Sequence, residues 1–341
     1  MKSTRIILAG LTAALLCGSC AKSTPSGLND SAKRYFDAWI SVHYPNVEKT
    51  FPGIYIIQDT PGNMGYLPGV ADCPYIYIDY EIKDLNGNIT STTNPETAKQ
   101  LGSYSDSYYY GPEVISRSYS SVNAGLEAML STMKVGGERT AVIPGWLTCS
   151  SRYDKEEDYL KKESGDNVIY NIKLRDGITD IAKWQIDSIE RYMTRLHMPA
   201  DSLVYGFYYI QTQAPEDTTT LGTGVELNIN YTGSLLNGKV FDTTDEKIAK
   251  DHGIYSASKS YEPMVINISE NNDNGYNDVS MSSGSSNSDV IEGFARALGK
   301  MKKGEKGIAI FYSNMGYKDQ ASSNIPAFSP LRFDLEMIGL K

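Results

Sequence analysis

Two stretches of alternating apolar and polar positions, far apart in the chain, share one pattern. Tyr77–Ile89 lines up with Asn228–Val240 at an offset of 151 residues. In the first, Ile78, Tyr80 and Ile82 alternate with polar residues; in the second, Leu227, Ile229 and Tyr231 do so. Period-two alternation predicts strands with one buried face. Each stretch then reaches Asn-Gly (Asn86-Gly87; Asn237-Gly238), the dipeptide that supplies the positive φ of a tight hairpin. A second block, Val122–Met133 against Val290–Met301, recurs at an offset of 168. Its helical spacing runs through Leu126, Met129, Leu130 and Met133, or Phe294, Leu298 and Met301. A Gly turn (Gly136; Gly304) leads into an apolar strand, Thr140–Ile143 or Ile308–Phe311. The closing strands Ile169–Leu174 and Arg332–Met337 also correspond.

The lead-in repeats as well. Asp30–Tyr44 carries Phe36, Trp39, Ile40 and His43 at helical spacing and stops at Pro45. Thr179–Met198 carries Ala182, Ile186, Ile189, Met193 and Leu196 on one stripe and stops at Pro199. Each helix precedes a strand ending in Ile-Gln, Gly53–Gln58 or Gly206–Gln211. Several blocks in the same order predict a duplicated α+β unit.

At the N-terminus, Lys2 and Arg5 precede an apolar run, Ile6–Leu16. Its helix would rise about 16 Å, too short for a hydrocarbon core of about 30 Å, and reads as a secretory leader. Leu16-Cys17-Gly18-Ser19-Cys20-Ala21 is similar to a bacterial lipobox, which predicts Cys20 as the lipidated first residue of the mature chain. The expected organisation is a leader over 1–19, a lipid-anchored start and helix over 20–47, a first copy over 48–175, a linker helix over 176–202 and a second copy over 203–341. The expected location is the cell envelope, on its periplasmic or outer-membrane face.

Composition narrows the chemistry. The net charge of −9, which falls to about −11 without Lys2 and Arg5, argues against a nucleic-acid partner. Three scattered histidines (His43, His197, His252) form no ligand cluster, so neither a metal nor a cofactor is expected. Cys73 and Cys149 remain in an oxidising compartment, either bridged or as two buried thiols. The 25 tyrosines, against 8 Phe and 3 Trp, suit twisted, half-buried sheets.

Asn230–Asp242, Val290-Ile-Glu-Gly-Phe294 and Leu331–Leu335, in this order, resemble the FKBP family of peptidyl-prolyl isomerases, most closely across 222–341. The resemblance implies two tandem α+β domains, each a curled antiparallel sheet of about five or six strands around a short helix. It implies a catalytic role for Asp242, Tyr317 and Ile291, the last through its backbone N–H. It also implies a substrate pocket of Tyr231, Phe241, Met264, Val290, Phe294, Ile325 and Phe333, in which Asp242 is the only charge. Phe294 replaces the family's indole, and Met264 replaces an aromatic. In the first copy Thr90, Ser91, Asn123 and Leu126 stand at the positions of Phe241, Asp242, Ile291 and Phe294, while Tyr80, Val122 and Tyr170 persist. That copy is expected to be non-catalytic.

The Asn/Ser/Gly-rich insertion 269–289 is expected to be a mobile loop at the cleft rim. The implied function is prolyl isomerisation of proline-containing exported polypeptides. The alternatives are a non-catalytic chaperone or peptide-binding lipoprotein module, and a structural component in which the 179–198 helix is a spacer or dimer contact.

Overall fold

The structure is a computed structural model that describes residues 29–118, 121–160, 165–199, 203–216, 224–269, 278–283 and 286–340. The leader and Cys20 lie outside the described residues. No helix among the described residues is long and apolar enough to cross a membrane.

The first copy begins with α1 (Asp30–His43), whose Phe36 and Ile40, one turn apart, are buried. It continues through β1 (Tyr55–Thr60), β2 (Tyr75–Lys83), β3 (Ile89–Thr92), α2 (Pro95–Gln100), β4 (Glu113–Ser116), α3 (Ala124–Leu130), β5 (Glu138–Ile143), α4 (Glu156–Tyr159) and β6 (Val168–Ile178). The strands form one antiparallel sheet in the order β1-β5-β6-β2-β3, with β4 also on β2. The concave face closes on α3 around Ile76, Ile78, Met129, Leu130, Ile143 and Leu174. On the opposite face α1 packs through Phe36 and Ile40 against Leu85 and Val142.

The second copy repeats this plan. α5 (Ile181–Arg195) leads into β7 (Phe207–Gln213), β8 (Val225–Leu235), β9 (Val240–Thr243), α6 (Glu246–Asp251), β10 (Met264–Ser269), β11 (Asp278–Ser283), β12 (Ser286–Asp289), α7 (Glu292–Leu298), β13 (Lys306–Phe311) and β14 (Leu331–Leu340). Its sheet runs β12-β11-β10-β8-β14-β13-β7, with β9 also on β8. Strand for strand, β7-β13-β14-β8-β10 reproduces β1-β5-β6-β2-β4. Ile189 and Met193 of α5 pack on Tyr208, Ile308 and Ile310, as α1 does in the first copy. Leu196, expected on that stripe, is 43% exposed because it is the residue that caps the helix.

Small details repeat at the same offsets. Gly87 and Gly238 turn the hairpins at φ of 87° and 90°. Thr93 and Thr244 each accept from the backbone N–H of Tyr80 or Tyr231 at 3.0 Å. Asn94 and Asp245 then cap α2 and α6, which the apolar pattern does not reveal. Gly125 and Gly293 bring each central helix against its strand. A Cβ at Gly125 would lie 2.3 Å from the Ile143 methyl, and one at Gly293 2.4 Å from the Phe311 ring.

The second sheet exceeds six strands because of the insertion expected to be a mobile loop. Its described residues are β11 and β12; β11 pairs with β10, and Val279 is buried. Strand pairing needs only main-chain groups, so a Ser/Asn-rich composition does not preclude it.

The two copies are packed together. α5 joins them: within the second copy its Gln185 accepts from Ser313 N–H at 2.7 Å and donates to its hydroxyl at 2.9 Å. Trp184 meets Tyr77 edge-on at 5.2 Å, and Phe328 meets Tyr75 at 5.2 Å. Tyr109 N–H donates to the Ser323 carbonyl at 2.8 Å, while its ring packs against the second core. Cys73 and Cys149 are both buried thiols. Their sulfurs lie against local carbonyls, Tyr75 for Cys73 and Trp146 for Cys149.

Candidate functional site

The floor of the candidate site is a cluster of aromatic rings held by β8, β9, α7, β13 and β14. Phe333 lies 5.0 Å from Phe294, 5.6 Å from Phe241 and 5.8 Å from Phe311, ring centre to ring centre. Gly233 on β8 makes this possible: a Cβ there would sit 2.6 Å from the Phe241 ring and 2.9 Å from Phe333. Phe241, Phe294, Ile325 and Phe333 are buried, with Ile325 brought in by the long loop before β14. Tyr231, Met264, Val290 and Ile291 are half-buried and pack on the same core, so they form a wall facing outwards.

The polar groups gather on one side. Tyr231 donates to one Asp242 carboxylate oxygen at 2.6 Å. The other oxygen accepts from Thr243 N–H at 2.9 Å and from the Lys259 ammonium. Asp242, expected to be the only charge in the cleft, is therefore accompanied by a second one, Lys259. Lys259 comes from the loop between α6 and β10, and its ammonium also lies within 5.9 Å of the Tyr231 ring and 5.7 Å of Tyr261. Nothing in the residues around Lys259 marks it in advance, since only the path of that loop brings it to Asp242.

Burial, with the Asp242 charge second, pushes the Tyr231 hydroxyl far above the ordinary tyrosine range. Partial desolvation and the same charge push Tyr317 up. Tyr317 is 42% exposed, and its hydroxyl has no hydrogen-bond partner among the described residues. Ile291 is the N-terminal cap residue of α7, in extended conformation (φ −62°, ψ 147°), and its N–H has no acceptor among the described residues. The arrangement thus combines an apolar floor with two uncommitted donors and one tethered carboxylate.

The first copy builds a different surface on the same frame. Tyr170 stands where Phe333 stands, and its hydroxyl accepts from Asn123 at 2.9 Å, the residue in the Ile291 position. Ser91 replaces Asp242 beside Tyr80. Glu113, in the Met264 position, brings a carboxyl that burial pushes up. An amide, a carboxyl and a phenol have taken the place of the apolar floor.

A sequence model described as FKBP-type peptidyl-prolyl cis-trans isomerase matches residues 217–338. The FK506-binding protein 2 of Dictyostelium discoideum is 31% identical over 143 residues, which cover 42% of this chain and 83% of that protein. The "FKBP-type peptidyl-prolyl cis-trans isomerase FkpA" of Buchnera aphidicola is 28% identical over 136 residues, 40% of this chain. The chain spans 41% of that relative's length. Among solved structures, that of the three FKBP domains of wheat FKBP73 aligns over 85% of this chain and 96% of its own, at 15% identity and a TM-score of 0.28.

Proposed function

Because the chain belongs to the FKBP-type peptidyl-prolyl cis-trans isomerase family, we propose that its second copy rotates X–Pro peptide bonds in exported polypeptides. The reaction makes and breaks no covalent bond but must cross a barrier of about 18–20 kcal/mol set by amide resonance. A site accelerates it by binding the twisted amide more tightly than either planar form. Twisting moves charge off the carbonyl oxygen, so an apolar surround tolerates the transition state better than the ground state. In this reading Phe241, Val290, Phe294, Ile325, Phe333 and Met264 hold the proline ring. The Ile291 N–H and the Tyr317 hydroxyl donate to substrate carbonyls. Asp242, held by Tyr231 and Lys259, orients the amide.

The observation that carries this reading is the pair of uncommitted donors, Ile291 N–H and Tyr317 hydroxyl, beside a buried aromatic floor. With Asn123, Ser91 and Glu113 at its equivalent positions, the first copy is the non-catalytic partner.

Exchange NMR on an Ala-Leu-Pro-Phe peptide tests the reading. Wild type should accelerate exchange, and Asp242→Ala should weaken the effect by about tenfold, the equivalent of about 1.4 kcal/mol. Acceleration should stay flat from about pH 7 to 9. A phenol raised above its usual value of about 10 remains a proton donor throughout that window. Absence of acceleration at micromolar protein would leave the peptide-binding reading, which the Lys259 contact to Asp242 favours.

We further propose that the chain is exported to the cell envelope and held there by lipid. The support is the basic start, the short apolar run and the small residues before Cys20. Mass spectrometry of the mature N-terminus should find a diacylated Cys20; an unmodified start at Ala21 or beyond overturns the anchor.

A further inference from the structure

In the second copy, β10 is flanked on both sides: β8 lies along one edge and β11 along the other, with Asn267 opposite Ser280. The equivalent strand of the first copy, β4, pairs with β2 alone. The bond from Arg117 N–H to the Pro74 carbonyl (2.8 Å) sets the phase of that ladder. Alternate residues Ile115 and Glu113 turn their main-chain groups towards β2, so Val114 and Ser116 turn theirs away. Neither outward N–H has a main-chain acceptor among the described residues.

These groups face a groove of about 880 Å³ between the two copies, within the range of known ligand sites. Its far wall is the loop that follows β13, with Asn314, Lys318 and Asp319, and Gln185 of α5 lies between. Lys318 directly follows Tyr317, so a single loop both lines the groove and carries the Tyr317 of the candidate cleft.

We infer that this groove takes an extended segment of the client polypeptide as an added antiparallel strand on β4. The chemistry of an open strand edge selects extended main chain and tolerates varied side chains. The molecule supplies its own precedent, because a Ser/Asn-rich stretch that buries Val279 occupies the equivalent edge of the second copy. That the strand belongs to a client rests on the isomerase reading; the open edge does not. The first copy thereby holds unfolded chain beside the cleft that rotates its prolines.

The test uses the full chain and fluorescein-labelled, reduced and carboxymethylated α-lactalbumin as a permanently unfolded probe. Ser116→Pro removes an outward donor and leaves the β2 bonds intact; Ser116→Ala keeps the donor. Wild type and Ser116→Ala should bind the probe equally, and Ser116→Pro at least tenfold more weakly, with turnover of Ala-Leu-Pro-Phe unchanged. In wild type, the probe should slow hydrogen exchange at Val114 and Ser116, a result that stands even if Ser116→Pro fails to fold. Equal binding by a folded Ser116→Pro, or slowed exchange elsewhere with Val114 unchanged, overturns the proposal. Concentration-dependent protection of Val114 without probe would assign the edge to a second copy of this chain and overturn it equally. Slowed exchange at Val114 in a protein that does not accelerate the tetrapeptide would instead sink the isomerase reading and leave the strand site.

Discussion

Phe333→Ala is expected to cost about 3–5 kcal/mol of stability, measured by chemical denaturation, and to lower kcat/KM at least tenfold. The ring is 4% exposed and touches four others: Phe294, Phe241, Phe311 and, at 6.2 Å, Tyr231. Truncation leaves a cavity under all four, and Gly233 offers no side chain to fill it. Phe241 and Tyr231 then lose the surface against which the proline ring would rest. Phe333→Leu should recover much of the stability, since it restores volume, and less of the turnover. A loss below 1 kcal/mol in the alanine variant would show that the floor is not packed as described.

Arg117→Ala should destabilise the chain by about 3 kcal/mol, near the lower end for breaking a buried ion pair because Glu127 keeps 21% exposure. The guanidinium is 1% exposed. It donates to both Glu127 oxygens, at 3.2 and 2.5 Å, and to the carbonyls of Pro68 and Cys73 at 2.8 and 2.9 Å. Removing it strands a carboxylate and two carbonyls together, so the loss exceeds that of any single hydrogen bond. Adding Glu127→Leu to Arg117→Ala should return part of the loss, because the stranded charge goes with it. Calorimetry of the two variants provides the check, and identical midpoints for single and double variant would contradict the account.

Much of this architecture is written in periodicity. The alternation around Ile78 and Ile229, the Asn-Gly turns and the stripes of α1 and α5 are legible because burial of one face dictates them. Phe241 and Phe294 are legible together because the first copy puts Thr90 and Leu126 in their places, whereas Phe333 keeps an aromatic counterpart in Tyr170. What escaped the sequence depends on other forces. α2 and α6 bury little more than Ala98 and Ala249, so their only signals are the caps Asn94 and Asp245. β11 forms through main-chain pairing, to which hydropathy is blind. Lys259 reaches Asp242, and Tyr109 reaches the second core, through loop paths that no local pattern encodes.

The loop that carries Tyr317 and Ile325 is braced from outside its own copy, by Tyr109 N–H on Ser323 and by Tyr75 against Phe328. A fragment containing only the second half would keep its sheet and central helix but lose these two splints. Rates measured on such a fragment would understate those of the intact chain, and the first copy would be seen to lend rigidity to the loop of the second.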